Sequence, residues 1–394
     1  MAERVRVVIV GARFGGLTAL HWLARKARLG ECAVTVVDPQ AVSVFRPSLI
    51  VALQGEPGRL RPLRVPVADV CRRLGARWIQ DFAVRIDAAA RQVHLAAHPP
   101  LSYDLCLWAT GVDPCWQFID GLDPSRGGLC ELPLARATAE RLAAWRGGRW
   151  VFATGPLVAD PAQQPSLRAA LDAAVVEAAC CADAGLRRRG RREATEIWFL
   201  TPAAVAGEWL GARSQALLAR ELARRDIRVL TGVDVRRVEA GRLVLADRTL
   251  KVDAMTWVPP YRGSRLARWS RLDDGWGWVP TDAVGRHVEW PRLYAIGDIR
   301  RDGLPKSAHS AMRHARIAVT HALASVRGTT APPPAMPAVL HVLDLGDGRG
   351  LFSAQNTLYG GRLDRAAIGR WAAWAKSAFT WAYLRGRGWL PVMP

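Results

Sequence analysis

Apolar positions along the chain come as short continuous runs and as helically spaced stretches, in a recurring order. Val5–Val10 is a β-branched run stopped by Gly11, which predicts a buried parallel strand. Residues 17–29 show helical spacing, and Cys32–Val37 is a second apolar run that ends on Asp38. Strand, glycine turn, helix, strand and acid in that order make a βαβ unit of the doubly wound kind. Residues 55–67, rich in Pro, Gly and Arg, predict a loop crossing. A helix is expected over 65–74, then strands near 78–82, 85–86 and 92–95, and a buried strand over 105–109 that closes on Thr110-Gly111.

The alternation then repeats. Strands are predicted over 150–154, 197–200 and 228–230, with helices over 166–184 and 215–224. From about Ala254 the pattern returns to that of the first unit, with a strand over 293–296 ending on Gly297-Asp298 and a helix over 308–326. Residues 331–337, Ala-Pro-Pro-Pro-Ala-Met-Pro, mark a linker before a strand region and a Trp-rich tail. The fold class is therefore α/β, with two Rossmann-like units, the second inserted in the first.

Composition narrows the picture. With 394 residues and 50% hydrophobic side chains, the chain can bury a large core without disulfide staples. No run of about 18 uncharged apolar residues is present, so no spanning helix is expected. The net charge of +20 rests almost wholly on Arg, since Lys occurs only at 26, 251, 306 and 376. That charge favours anionic surfaces, but the basic residues are dispersed and no nucleic-acid module is recognisable, so nucleic acid is not an expected partner. Seven Cys with no metal-site spacing and no C-x-x-C predict reduced thiols in a cytoplasmic compartment and no metal. The N-terminus runs straight into the first strand, and no targeting segment is expected before the fold.

Chemistry concentrates at three strand ends. Gly11-Ala12-Arg13-Phe14-Gly15-Gly16 stands where a dinucleotide fold places G-x-G-x-x-G, with Asp38 positioned for the ribose. The first Gly makes the turn, the second admits the pyrophosphate and the third lets helix and strand pack. Here the second is Arg13: either its guanidinium meets the phosphates, or its side chain blocks the crevice. Thr110-Gly111 and Gly297-Asp298 end the other two strands.

Taken together and in this order, these strings resemble the flavoproteins with two dinucleotide-binding domains. Phe45-Arg46-Pro47-Ser48-Leu49 is similar to a loop of sulfide:quinone oxidoreductases and type II NADH dehydrogenases, and Thr201-Pro202 and Trp257-Val258-Pro259-Pro260-Tyr261-Arg262-Gly263 resemble the former more than the latter. The resemblance implies non-covalent FAD held by Gly11, Arg13, Gly15, Gly16, Asp38, Pro47, Thr110, Gly111, Gly297 and Asp298. It implies that Lys306, at the start of a helix, tunes the reduced flavin, and that quinone accepts the electrons. The corresponding division is a FAD-binding domain in two parts, 1–112 and 254–330, a degenerate second domain over 113–253 and a C-terminal segment over 331–394. The second turn, Gly155-Pro156-Leu157-Val158, is not a nucleotide motif, and its strand ends on Thr201-Pro202 without an acid, which disfavours NAD(P)H. The two sulfur-carrying Cys of the family are missing from 155–165 and 339–352, and Cys130 fits only the accessory position. Cys106, Cys115, Cys180 and Cys181 read as core residues; His309, His314 and His341 are candidate proton carriers or structural side chains. The rival expectation is a redox-silent paralogue serving a membrane complex as a structural subunit.

In the tail, Ile368, Trp371, Trp374, Ala375, Ala378, Trp381 and Ala382 share one helical face, with Phe379 at its edge, Arg370, Lys376, Arg385 and Arg387 flanking and Trp389 following. Such a helix suits the interface of a bilayer, and a peripheral position on the inner face of the cell membrane is expected. Packing on the protein's own core, on a partner subunit or in a homo-oligomer is the alternative.

Overall fold

The computed structural model describes residues 4–28, 30–54, 63–159, 168–169, 171–302 and 305–390. Val5–Val10 is the middle strand of a five-stranded parallel sheet in the order Leu293–Ala295, Leu105–Trp108, Val5–Val10, Cys32–Val37, Arg77–Ile79. Its alternate side chains enter different cores: Val7 and Ile9 pack on one side, Val8 and Val10 on the other. The continuous apolar run reflects that two-sided burial.

The first helix, Phe14–Lys26, begins three residues before the predicted start of 17 because Arg13 takes the extended N-cap position. Its buried Leu17, Leu20 and Leu23 lie in the core shared with the neighbouring helix Ala308–Val326. The helix expected over 65–74 is a short strand, Arg64–Pro66, followed by the helix Val67–Arg73. Pro66 sits at the N-cap, where its missing N–H costs nothing.

The second sheet is parallel as well, in the order Ile227–Leu230, Thr195–Leu200, Gly148–Thr154, Ala254–Val258. The strand Ala254–Val258 thus extends the second sheet, and the chain rejoins the first only at Leu293–Ala295. The helix Asp172–Arg188 starts later than the predicted 166; residues 160–167, like 55–62 of the predicted crossing, lie outside the described residues. A small antiparallel sheet, Val235–Glu239, Arg242–Leu245 and Thr249–Lys251, has no counterpart in the sequence prediction.

Strands Val339–Asp344, Gly350–Gln355 and Asp364–Gly369 form a C-terminal antiparallel sheet that leads into the helix Arg370–Arg385. Arg225, 2% exposed, fastens this sheet to the second domain through Asp183 (2.9 Å), Glu221 (2.7 Å) and Asp347 (2.7 Å). Removing one member would strand a buried charge, so the cluster holds the domains in one arrangement. No described helix is long and apolar enough to cross a membrane.

Candidate active site

A cavity of about 450 Å³ opens at the carboxyl ends of the first sheet's strands and runs to the C-terminal helix. In open α/β sheets this is where ligands bind. Its walls include Arg13, Gly15, Pro47, Thr110, Gly111, Gly297, Asp298 and Lys306, so eight of the eleven predicted site residues meet in one place. Gly11, Gly16 and Asp38 stand behind them. Gly11 has φ +102, and a Cβ there would lie 2.5 Å from the Ala109 carbonyl oxygen. A Cβ on Gly16 would lie 1.8 Å from the Gly11 carbonyl oxygen, so only glycine lets the helix approach the turn this closely. Asp38 accepts from the backbone N–H of Ala12 (2.7 Å) and Gln40 (2.8 Å), which fixes the turn.

The polar groups of the cavity fit a flavin dinucleotide. The Arg13 guanidinium makes no hydrogen bond or ion pair with a described residue. Burial pushes its pKa down and the charge of Arg46 pushes it further, while Glu131 and Asp38 pull it back. Arg46 is ion-paired with Glu131. At the other strand end the Asp298 carboxylate accepts no hydrogen bond from a described residue, and burial pushes it up to about 6 against the pull of Lys306. A half-buried acceptor of this kind, on the cavity wall, suits sugar-like hydroxyls.

Lys306 is 5% exposed, and its Nζ is occupied: it donates to the Arg300 carbonyl (2.9 Å) and Asp302 (3.2 Å) and lies 5.1 Å from the Trp278 ring centre. Its charge therefore reaches the cavity partly neutralised. The N-terminus of Ala308–Val326 brings a further positive end to the same wall through Ser307, Ala308 and His309.

Beyond Asp298 the cavity becomes apolar, walled by Phe45, Leu171, Ala174, Trp209, Leu340, Val342, Phe352, Ala375 and Phe379. Glu177 and Lys376 form an ion pair there. Burial raises the Glu177 carboxyl well above the usual range even though Lys376 lowers it. His341 sits against Trp209 (ring centres 4.9 Å apart), and burial lowers it to about 3; His309, lowered to about 4, lines the same wall. His314 lies outside the cavity, 3.8 Å from Asp302, and is lowered to about 3. Cys130 is the one cysteine in the wall; burial raises it, and Tyr261 is hydrogen-bonded to it.

Glu177 was not anticipated, although an acid inside the apolar run 173–182 is a signal in itself. The tail departs from expectation in two ways. Lys376 turns inward to Glu177 instead of flanking an interface, and Trp389 is buried, 5.2 and 5.3 Å below Arg25 and Arg316. Gly388, at φ +89, turns the chain back so that Trp389 reaches the first helix. Trp371, Trp374 and Trp381 do point outward, 51%, 74% and 61% exposed.

The second domain has no phosphate turn among the described residues. Gly155 N–H donates to Val258 (2.9 Å) and Val158 N–H to Tyr261 (2.7 Å), so the chain runs on beside 258–261. The first turn of the following helix carries its own acid, Asp172, which accepts from Gly207 N–H at 2.7 Å.

Residues 5–142 match the family profile described as pyridine nucleotide-disulphide oxidoreductase. The chain has the fold of sulfide:quinone oxidoreductase from the hyperthermophilic bacterium Aquifex aeolicus, at TM-score 0.87 and 18% identity, over 98% of this chain and 91% of that one. A chain of the mitochondrial ATP synthase of Tetrahymena thermophila is also similar (TM-score 0.74, 13% identity, 98% and 94% covered). So is a ferredoxin reductase from Rhodopseudomonas palustris (TM-score 0.67, 19% identity, 89% and 82% covered). The two-domain flavoprotein resemblance seen in the sequence is thus borne out at the level of fold, and family match and fold together make FAD the expected cofactor.

Proposed function

We propose that the chain is a FAD-dependent oxidoreductase that passes two electrons to a membrane quinone. The observation that carries this reading is one continuous cavity that joins the dinucleotide cleft to a helix whose outer face is tryptophan. Bound FAD would supply reversible two-electron transfer at its ring. Asp298 holds the sugar-like chain; Thr110, whose hydroxyl accepts from the Trp108 Nε1–H at 2.9 Å, shapes the wall with Pro47, Gly111 and Gly297. Lys306 and the Ala308–Val326 N-terminus stabilise negative charge that develops on reduction.

A quinone ring is neutral and planar, and the apolar walls around Leu340, Phe352 and Phe379 suit it. The Lys376 ammonium donates a hydrogen bond to a quinone oxygen, and Glu177, whose carboxyl is raised well above the ordinary range, passes on protons taken up from solvent, so that the two electrons are matched by two protons at the quinone oxygens. Trp371, Trp374 and Trp381 settle in the bilayer interface, which places the cavity mouth beside the lipid-borne substrate. Among the described residues the wall holds a single thiol, Cys130, which disfavours sulfide as the electron donor.

The test is an absorption spectrum of the purified chain, followed by photoreduction of the flavin and addition of a short-chain ubiquinone. Flavin bands should be present. Quinone should reoxidise the wild type at least about tenfold faster than Lys376→Met. A colourless protein that takes up no FAD ends the proposal and leaves the redox-silent reading.

A further inference from the structure

The cavity holds one more arrangement, on the wall where Phe14 and Phe45, the chain neighbours of Arg13 and Arg46, pack ring against ring with centres 5.4 Å apart. Two guanidinium groups, Arg13 and Arg46, share this wall, and a single carboxylate, Glu131, is paired with Arg46 alone. The helix Phe14–Lys26 begins here with no side-chain cap and no acid in its first turn, and Gly15 of that turn lines the cavity. Of the other acids that feel these guanidinium groups, Asp38 is spent on the N–H groups of Ala12 and Gln40, and Asp298, at the end of a different strand, makes no ion pair with either. Without a ligand, the arrangement sets like charges against each other in a partly desolvated site, where Coulombic interactions are strongest. An anion with two negative centres adds an attraction to each guanidinium that outweighs their mutual repulsion.

We infer that Arg13 and Arg46 form a guanidinium pair that grips the diphosphate of the dinucleotide, in the place where a glycine at 13 would offer bare backbone. The inference rests on the flavin reading above and adds to it a chemical basis for cofactor choice. Attachment by charge replaces attachment by close approach. FAD is then selected over flavins without a diphosphate, and its retention depends on ionic strength. Forked guanidinium donors suit phosphate oxygens in a way that an ammonium does not, so Arg13→Lys keeps only part of the effect.

The experiment titrates the apoprotein with FAD and with riboflavin, following quenching of flavin fluorescence, for wild type, Arg13→Gln, Arg13→Gly, Arg13→Lys and Arg46→Gln. Melting curves confirm that each variant is folded. FAD affinity should fall about tenfold or more in Arg13→Gln and Arg46→Gln and by less in Arg13→Lys. Riboflavin affinity should be the same in all. Raising salt from about 50 to about 500 mM should weaken FAD binding in wild type far more than in Arg13→Gln. If Arg13→Gly or Arg13→Gln binds FAD as well as wild type or better, the arginine is a plug and the inference is overturned, while the flavin reading stands. If wild type and Arg13→Gly bind neither FAD nor riboflavin, the flavin reading itself falls and takes this one with it.

Discussion

Asp298 gives the sharpest handle on the cofactor site. Burial holds its carboxyl up to about 6, and the charges of Lys306, Arg46 and Arg13 keep it from rising further. A hydroxyl that donates to the ionised carboxylate stabilises the charged form, so FAD binding must release a proton wherever the free site is protonated. A hydrogen bond to a charged group contributes about 1.5–3 kcal/mol, which corresponds to roughly a ten- to 150-fold difference in affinity. Above pH 6 the wild-type affinity should be flat. Below it the affinity should fall about tenfold per pH unit, because one proton must leave for each FAD bound. Asp298→Asn should bind more weakly at pH 8 and show no such slope. His309 and His341 remain neutral through this range because burial has lowered them to about 4 and about 3. Fluorescence titrations between pH 5 and 8 decide the matter. Equal affinity of Asp298→Asn and wild type at pH 8, or the same slope in both, would refute a carboxylate–hydroxyl contact.

Two further outcomes follow from exposure and burial. Replacing Trp374 and Trp381 together by Ser should sharply reduce co-sedimentation with anionic vesicles and leave the melting temperature nearly unchanged, since both side chains face solvent, whereas Trp371 also packs on Phe352 (ring centres 5.3 Å apart) and is left in place. Unaltered vesicle binding would send the tail back to a packing role. The buried histidines should weaken the fold on acidification between pH 6.5 and 4: His309, His314 and His341 are neutral in the folded chain, with pKa values lowered to about 4, 3 and 3, and they protonate once unfolded. Their contribution to stability falls as pH falls, opposite in sign to that of the raised carboxyls of Asp172, Glu177 and Asp298. Thermal melts of the apoprotein and of His314→Asn across this range check it: the variant should lose less melting temperature on acidification than wild type, and an equal or larger loss would contradict it.

Local pattern determined much of this protein. The run Val5–Val10, the glycines at 11 and 16 and the acid at 38 specify a strand, a turn and a helix from nearest neighbours alone, because φ +102 and a 1.8 Å Cβ approach exclude other residues. The strand ends at Thr110 and Asp298 were legible for the same reason: a buried apolar run must stop somewhere, and the polar residue that stops it faces the crevice. Tertiary structure alone decided which charges meet. Glu177 and Lys376 are 199 residues apart, and Arg46 and Glu131 are 85 apart; no periodicity within an element encodes such partners. The same holds for the tail. Helical spacing grouped Trp371, Trp374 and Trp381 on one face, but it also put there Ile368, which lies in the strand Asp364–Gly369, and Ala375, which lines the cavity. It could not show that the next face along, with Lys376 and Phe379, would close a cavity, because burial of a helix face depends on the sheets and loops that the rest of the chain brings against it.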